Sequence, residues 1–170
     1  MGSNVKAHLK HEMLVGGISN AIANGLIAWL ILRGGPDLTW SGQHSFVGDI
    51  VATAFLLPLI VALIVIPLQR RKLKSGKLQS MRLESGSLLQ SLADRFPAGL
   101  GKSSLLFGLV GVSVFAPVLL LIIYAGGIDS FSPASYAALK GAWAGLMAAV
   151  LVVIMVLVAL RAPAAVAIAD

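Results

Sequence analysis

The sequence predicts an all-α integral membrane protein: a bundle of four transmembrane helices, with a cytoplasmic amphipathic segment between the second and the third. Three observations predict it. Of 170 residues, 58% are hydrophobic and 12% are charged, about half the ~25% charge of a soluble domain. Mean hydropathy is +0.91. The charges are also excluded from long stretches, and once those stretches are threaded as spans the basic residues gather on one side.

At about 1.5 Å of rise per residue, about 20 apolar residues cross roughly 30 Å of hydrocarbon. Four segments meet that length: residues 13–32, 46–68, 105–125 and 140–160, forming a single membrane domain with a loop at 69–104. Unpaired backbone groups are costly in lipid, so each segment is expected to be helical. Ala21-Ile22-Ala23 resembles a signal-cleavage site, but the apolar run before it is short, and Asn20 and Asn24 interrupt the apolar character around it. A secretory signal has a longer core, so residues 13–32 read as a span.

Orientation is set by Lys and Arg in the links. Lys6, Lys10, Arg161 and the eight basic residues from Arg70 to Lys102 share one side, and Arg33 and Lys140 stand alone on the other. The expected location is therefore a bacterial inner membrane with both termini cytoplasmic. Trp29, Trp40, Tyr124, Tyr136 and Trp143 fall at the opposite, outer boundary. The net charge of +6 is explained by this topology rather than by nucleic-acid binding. Cysteine is absent, which excludes disulfides, thiolate metal sites and cysteine nucleophiles.

A duplicated hairpin is a candidate reading of the four spans. Laid on residues 106–129 without a gap, residues 14–37 match Leu14 with Leu106, Gly16 with Gly108, and Gly34-Gly35-x-Asp37 with Gly126-Gly127-x-Asp129. Asn24-Gly25 then lies opposite Ala116-Pro117, a helix-weakening position in both halves. Such a repeat would be parallel, not inverted.

Asn20 and Asn24 lie one turn apart within the first span, with Gly16, Gly17, Ala21, Gly25 and Ala28 on or beside the same face. Small residues admit close helix approach, and buried amides then bond across it. The amides read as interhelical contacts, or else as the lining of a polar path. Asp49 stands just inside the second span, where a carboxylate is either a solvated rim acid or a proton or cation contact. Lys140, His44 and Gln43 are its candidate partners. Pro58, Pro67 and Pro117 bend helices that neighbours can satisfy. Gly141-x-x-x-Gly145, extended by Ala149, predicts a close helix contact. Gly16 and Gly108 are expected to pack likewise.

In the central loop, Leu78, Met81, Leu88, Leu92 and Phe96 recur at near-helical spacing, with a Ser87/Gln90 capping box and a break at Gly86. With Arg70, Arg71, Lys72, Lys74 and Lys77, this predicts two short amphipathic helices lying on anionic lipid headgroups. Gly101-Lys102-Ser103 ends like a phosphate loop, but Phe96 occupies the place of its first Gly. His8-x-x-His11-Glu12 lacks the order of a zinc-protease motif. No cofactor is expected and no catalytic set can be assembled. The expected function is a non-enzymatic structural or accessory membrane subunit, self-associating as a homo-oligomer or joined to a larger complex. The alternative is a small oligomeric permease or channel using Asn20, Asn24 and Asp49.

Overall fold

A computed structural model describes residues 2–83 and 87–161, with side chains from Val5 onward. Its regular structure is helical apart from a two-residue ladder, and four of its helical stretches are long and apolar enough to cross a membrane. The protein is thus membrane-embedded. Helix α1 (Gly2–Leu32) has 31 residues, about 46 Å at helical rise, so its polar start projects beyond the hydrocarbon. Helix α2 (Phe46–Lys74) likewise outruns its span. Arg70, Arg71, Lys72 and Lys74 therefore form its last turns rather than the start of a loop, where cations complement the carbonyl end of the helix dipole. Gly76, at φ +72°, ends the run.

The third span is composite. Helix α4 (Leu100–Val110) passes through a π-helical turn (Gly111–Phe115) into α5 (Ala116–Ala125). Pro117 has no N–H to give the carbonyl one turn back. The chain absorbs the defect by widening, and the Ala116 N–H reaches the Gly111 carbonyl instead. By contrast α1 runs unbroken through Asn24-Gly25, so only one of the two matched positions weakens its helix. Helix α6 (Pro133–Ala159) begins about two turns earlier than the hydropathy edge at Lys140. The reason is a strong start signal: Ser132 caps it by accepting the Ser135 N–H at 3.3 Å, and Pro133 occupies the first helical turn.

Strands β1 (Leu38–Thr39) and β2 (Ser130–Phe131) join the two links at that end, Leu38 opposite Phe131 and Thr39 opposite Ser130. The principal helix contacts run α1 to α6, α6 to α2, and α2 to the third span. Neither hairpin packs its own two spans closely together. The spans sit in a row of contacts instead of closing an evenly packed four-helix bundle. Helix α6 lies in the middle: 72% of its most apolar stretch is buried, against 11% for α1.

The central loop departs from expectation. Residues 78–83 are not helical; the Met81 N–H donates instead to the Leu160 carbonyl at the end of α6 (3.0 Å). Only α3 (Leu88–Arg95) is helical there. Its expected capping box does not form: Ser87 makes no side-chain cap, and Gln90 Oε1 accepts the Leu83 N–H at 2.9 Å. The buried face of α3 is Gln90 and Ala93, while Leu88 and Leu92 are exposed. Gly86, the expected break, lies outside the described residues.

Candidate functional site

The first candidate site lies at the end of the spans away from the basic cluster. Asp49 sits in the first turn of α2, where the helix dipole favours an acid. Lys140, two turns into α6, aims its ammonium at the carboxylate, with Nζ 2.7 Å from both oxygens. One turn earlier Tyr136 donates its hydroxyl to Oδ2. Tyr136 is buried, the Lys140 side chain is 13% exposed and that of Asp49 39%. Lys140 was an expected partner. Gln43 and His44 make no side-chain bond to Asp49, because the turn before α2 leaves both exposed. Tyr136 was missed, although its i, i+4 spacing from Lys140 places the two on one helical face.

Around this group, Phe46 packs edge-on against Trp40 (4.9 Å between centroids) and Phe131 (5.3 Å). Trp40 Nε1 donates to the Ile128 carbonyl at 2.9 Å. Tyr136 and Trp143 are buried between helices. Trp29, with Arg33 over its ring, and Tyr124 remain exposed.

The α1–α6 seam is built from the small residues singled out in the sequence. A Cβ on Gly145 would meet Ala21 Cβ at 2.7 Å and the Gly17 carbonyl at 2.9 Å. On Gly141 it would meet the Ala21 carbonyl at 2.9 Å, and on Gly16 a Val152 methyl at 3.0 Å. The contact between α2 and the third span obeys the same logic. A Cβ on Gly108 would meet the Phe55 carbonyl at 2.9 Å, and one on Gly111 would overlap the Ala54 carbonyl outright. Ala54 is the residue whose carbonyl Pro58 leaves without a helical donor. A glycine Cα–H approaching that oxygen is a weak substitute that no larger residue could supply.

Asn20 and Asn24 lie half-buried beside the α1–α6 seam, and neither amide crosses it. Asn20 Nδ2 donates to the Gly16 carbonyl (2.8 Å) and Asn24 Nδ2 to the Asn20 carbonyl (3.0 Å), both within α1. Bonding four residues back is an alternative always open to a short amide in a helix. Spacing alone did not distinguish it from a bond to a neighbour.

At the basic end several cations have internal partners. Lys72 donates to Glu12 at 3.2 Å, and the His8 ring lies 3.3 Å from Gln69 Oε1. Arg70 and Arg161 brace one turn by donating to the carbonyls of Ala98 (2.8 Å) and Phe96 (2.9 Å). Burial pulls the Arg161 guanidinium below its ordinary range; Asp94 opposes that shift and Arg70 adds to it. Arg71, Lys74 and Lys77 stay exposed. Gln69 Nε2 and Ser104 Oγ are buried without a hydrogen bond among the described residues.

Compared with protein-family models, curated proteins and solved structures, this chain matches none. Its chemistry must therefore be read from the geometry. Among the described residues no three His, Asp or Glu side chains come together as a metal site would need. Asp49, held by a cation and a phenol, is arranged to tie α2 to α6.

Proposed function

We propose that this chain is a small non-enzymatic integral membrane protein, a structural or accessory subunit that self-associates or joins a larger membrane complex. The observation that carries this reading is the Asp49–Lys140–Tyr136 group. A transported proton or cation needs a carboxylate it can reach and leave, whereas here Lys140 Nζ lies 2.7 Å from both oxygens. A charge pair so placed joins two helices. The amides of Asn20 and Asn24 are also taken up within their own helix, which weighs against the permease alternative. The outer face of α1 leaves Ile18, Ile22 and Leu26 exposed, available to lipid or to another subunit.

In this reading the membrane is a bacterial inner membrane, and both termini and the 69–104 loop are cytoplasmic, an orientation the basic bias supports. Arg71, Lys74 and Lys77 then face anionic headgroups, and α3 rests Leu88 and Leu92 on the bilayer surface. A parallel duplication is part of the proposal. Continuing the alignment that sets Asp37 on Asp129, Leu38 falls on Ser130 and Thr39 on Phe131. The observed ladder, Leu38 with Phe131 and Thr39 with Ser130, maps onto itself under that exchange. The α1–α6 contact similarly exchanges with that between the third span and α2. The test is purification in mild detergent with mass by light scattering, and then reconstitution into liposomes. A stable assembly, of this chain alone or with a partner retained from the native membrane, without solute or ion flux is the expected result; a monomer with no retained partner, or flux abolished by Asp49→Asn, would overturn it.

A further inference from the structure

A second site lies at the basic end, between the start of α1 and the non-helical chain of residues 80–83. There the molecule encloses a crevice of about 650 Å³, within the range of roughly 300–1,000 Å³ typical of ligand sites. One wall is a single stripe of α1: Lys6, Leu9, Lys10 and Met13 stand at i, i+3, i+4 and i+7, one face of a helix. The other wall is held in place by two of its backbone N–H groups, Met81 donating to the Leu160 carbonyl (3.0 Å) and Leu83 to the side-chain Oε1 of Gln90 (2.9 Å). Arg82 stands on this wall, steadied by Asp94 at 3.2 Å. Val153 of α6 closes the membrane side.

The lining changes character with depth. Lys6, Lys10 and Arg82 are exposed at its rim, whereas Leu9 is buried and Met13 and Val153 are half-buried on its floor. Cations above an apolar floor complement a molecule with an anionic head and a hydrocarbon tail. A soluble anion would use only the upper half. The floor reaches Met13 and Val153, within two of the helices long and apolar enough to cross a membrane. We propose that this crevice binds one anionic phospholipid, its phosphate against Lys6, Lys10 and Arg82 and one acyl chain along Leu9, Met13 and Val153. The site is distinct from the exposed cluster Arg71, Lys74 and Lys77, none of which lines it.

The test uses the full chain in non-ionic detergent, titrated with phosphatidylglycerol or phosphatidylcholine and read by native mass spectrometry. A basic residue at an anionic surface contributes roughly fivefold to binding. Replacing all three as Lys6→Gln, Lys10→Gln and Arg82→Gln should therefore weaken retention of a single phosphatidylglycerol by on the order of a hundredfold. The control variant Arg71→Gln, Lys74→Gln and Lys77→Gln should retain it. A second variant, Val153→Trp, fills the floor and should displace the lipid while the three cations remain; its melting curve shows whether it is folded. Three results would overturn the proposal: equal loss in the control, equal retention of phosphatidylcholine, or full competition by glycerol phosphate. The first would mean diffuse surface attraction, and the last a site for soluble anions.

Discussion

Gly145 offers the sharpest test of how the spans are held together. Placing an alanine there puts its methyl 2.7 Å from Ala21 Cβ and 2.9 Å from the Gly17 carbonyl. Ordinary contact begins near 3.4 Å, so α1 must withdraw from α6 by about 0.7 Å at this point, loosening the neighbouring Gly25–Gly141 contact with it. Overpacking of this degree costs about 1–3 kcal/mol. Alanine recovers about 0.5–1 kcal/mol of helix propensity, leaving a net loss of up to roughly 2.5 kcal/mol. Gly145→Leu adds three more carbons to the same space and should cost more than about 3 kcal/mol, or part the helices. Gly48→Ala is the control, since nothing lies within 4 Å of its added methyl; it should be neutral or slightly stabilising. Ala21→Gly removes the nearest atom and should partly rescue Gly145→Ala, leaving the strain against the Gly17 carbonyl. The assay is reversible unfolding by denaturing detergent titrated into mixed micelles. If Gly145→Ala proves as stable as Gly48→Ala, or Ala21→Gly gives no rescue, α1 and α6 do not meet through these small residues.

The same geometry sets three further outcomes. Lys140→Met strips Asp49 of its cation and should lower stability by about 1–3 kcal/mol, less than the ~3–5 of a fully buried pair because Asp49 is partly solvated. Adding Asp49→Asn should return most of that loss in thermal melts, and no recovery would deny the coupling. Asn24→Leu should change stability by no more than about 0.5 kcal/mol, because the bond its amide makes lies within α1 and not across to another helix; a loss near 2 kcal/mol would place that amide on another helix. Because the chain has no cysteine, single Ser80→Cys and Ser41→Cys variants report topology cleanly. In inside-out vesicles an impermeant thiol reagent should label the first and spare the second, and the reverse pattern would invert the proposed orientation.

The number and apolar character of the spans were legible in the sequence, because lipid imposes one severe requirement on every crossing segment: internal hydrogen bonding behind an apolar surface. So were the small-residue stripes at Gly141/Gly145 and at Gly17/Ala21/Gly25, since close helix approach demands missing side-chain volume and that absence can be read from spacing. What a stripe cannot name is its partner. That the stripe on α6 meets the one on α1, with α6 set between α1 and α2, came only from the tertiary arrangement. Any pair of small-residue faces is locally compatible, and the choice rests on the fit of all four spans at once. Asp49 was singled out as an acid in an apolar run. Lys140 was named only as one of three candidates, because hydropathy placed the start of α6 too late and hid the turn that carries Tyr136. In the central loop periodicity held over α3 and failed before it. Leu78 and Met81 repeat at helical spacing, yet the Met81 N–H is claimed by the Leu160 carbonyl. A backbone donor takes whichever acceptor the fold presents, and an acceptor 79 positions away leaves no trace in local sequence.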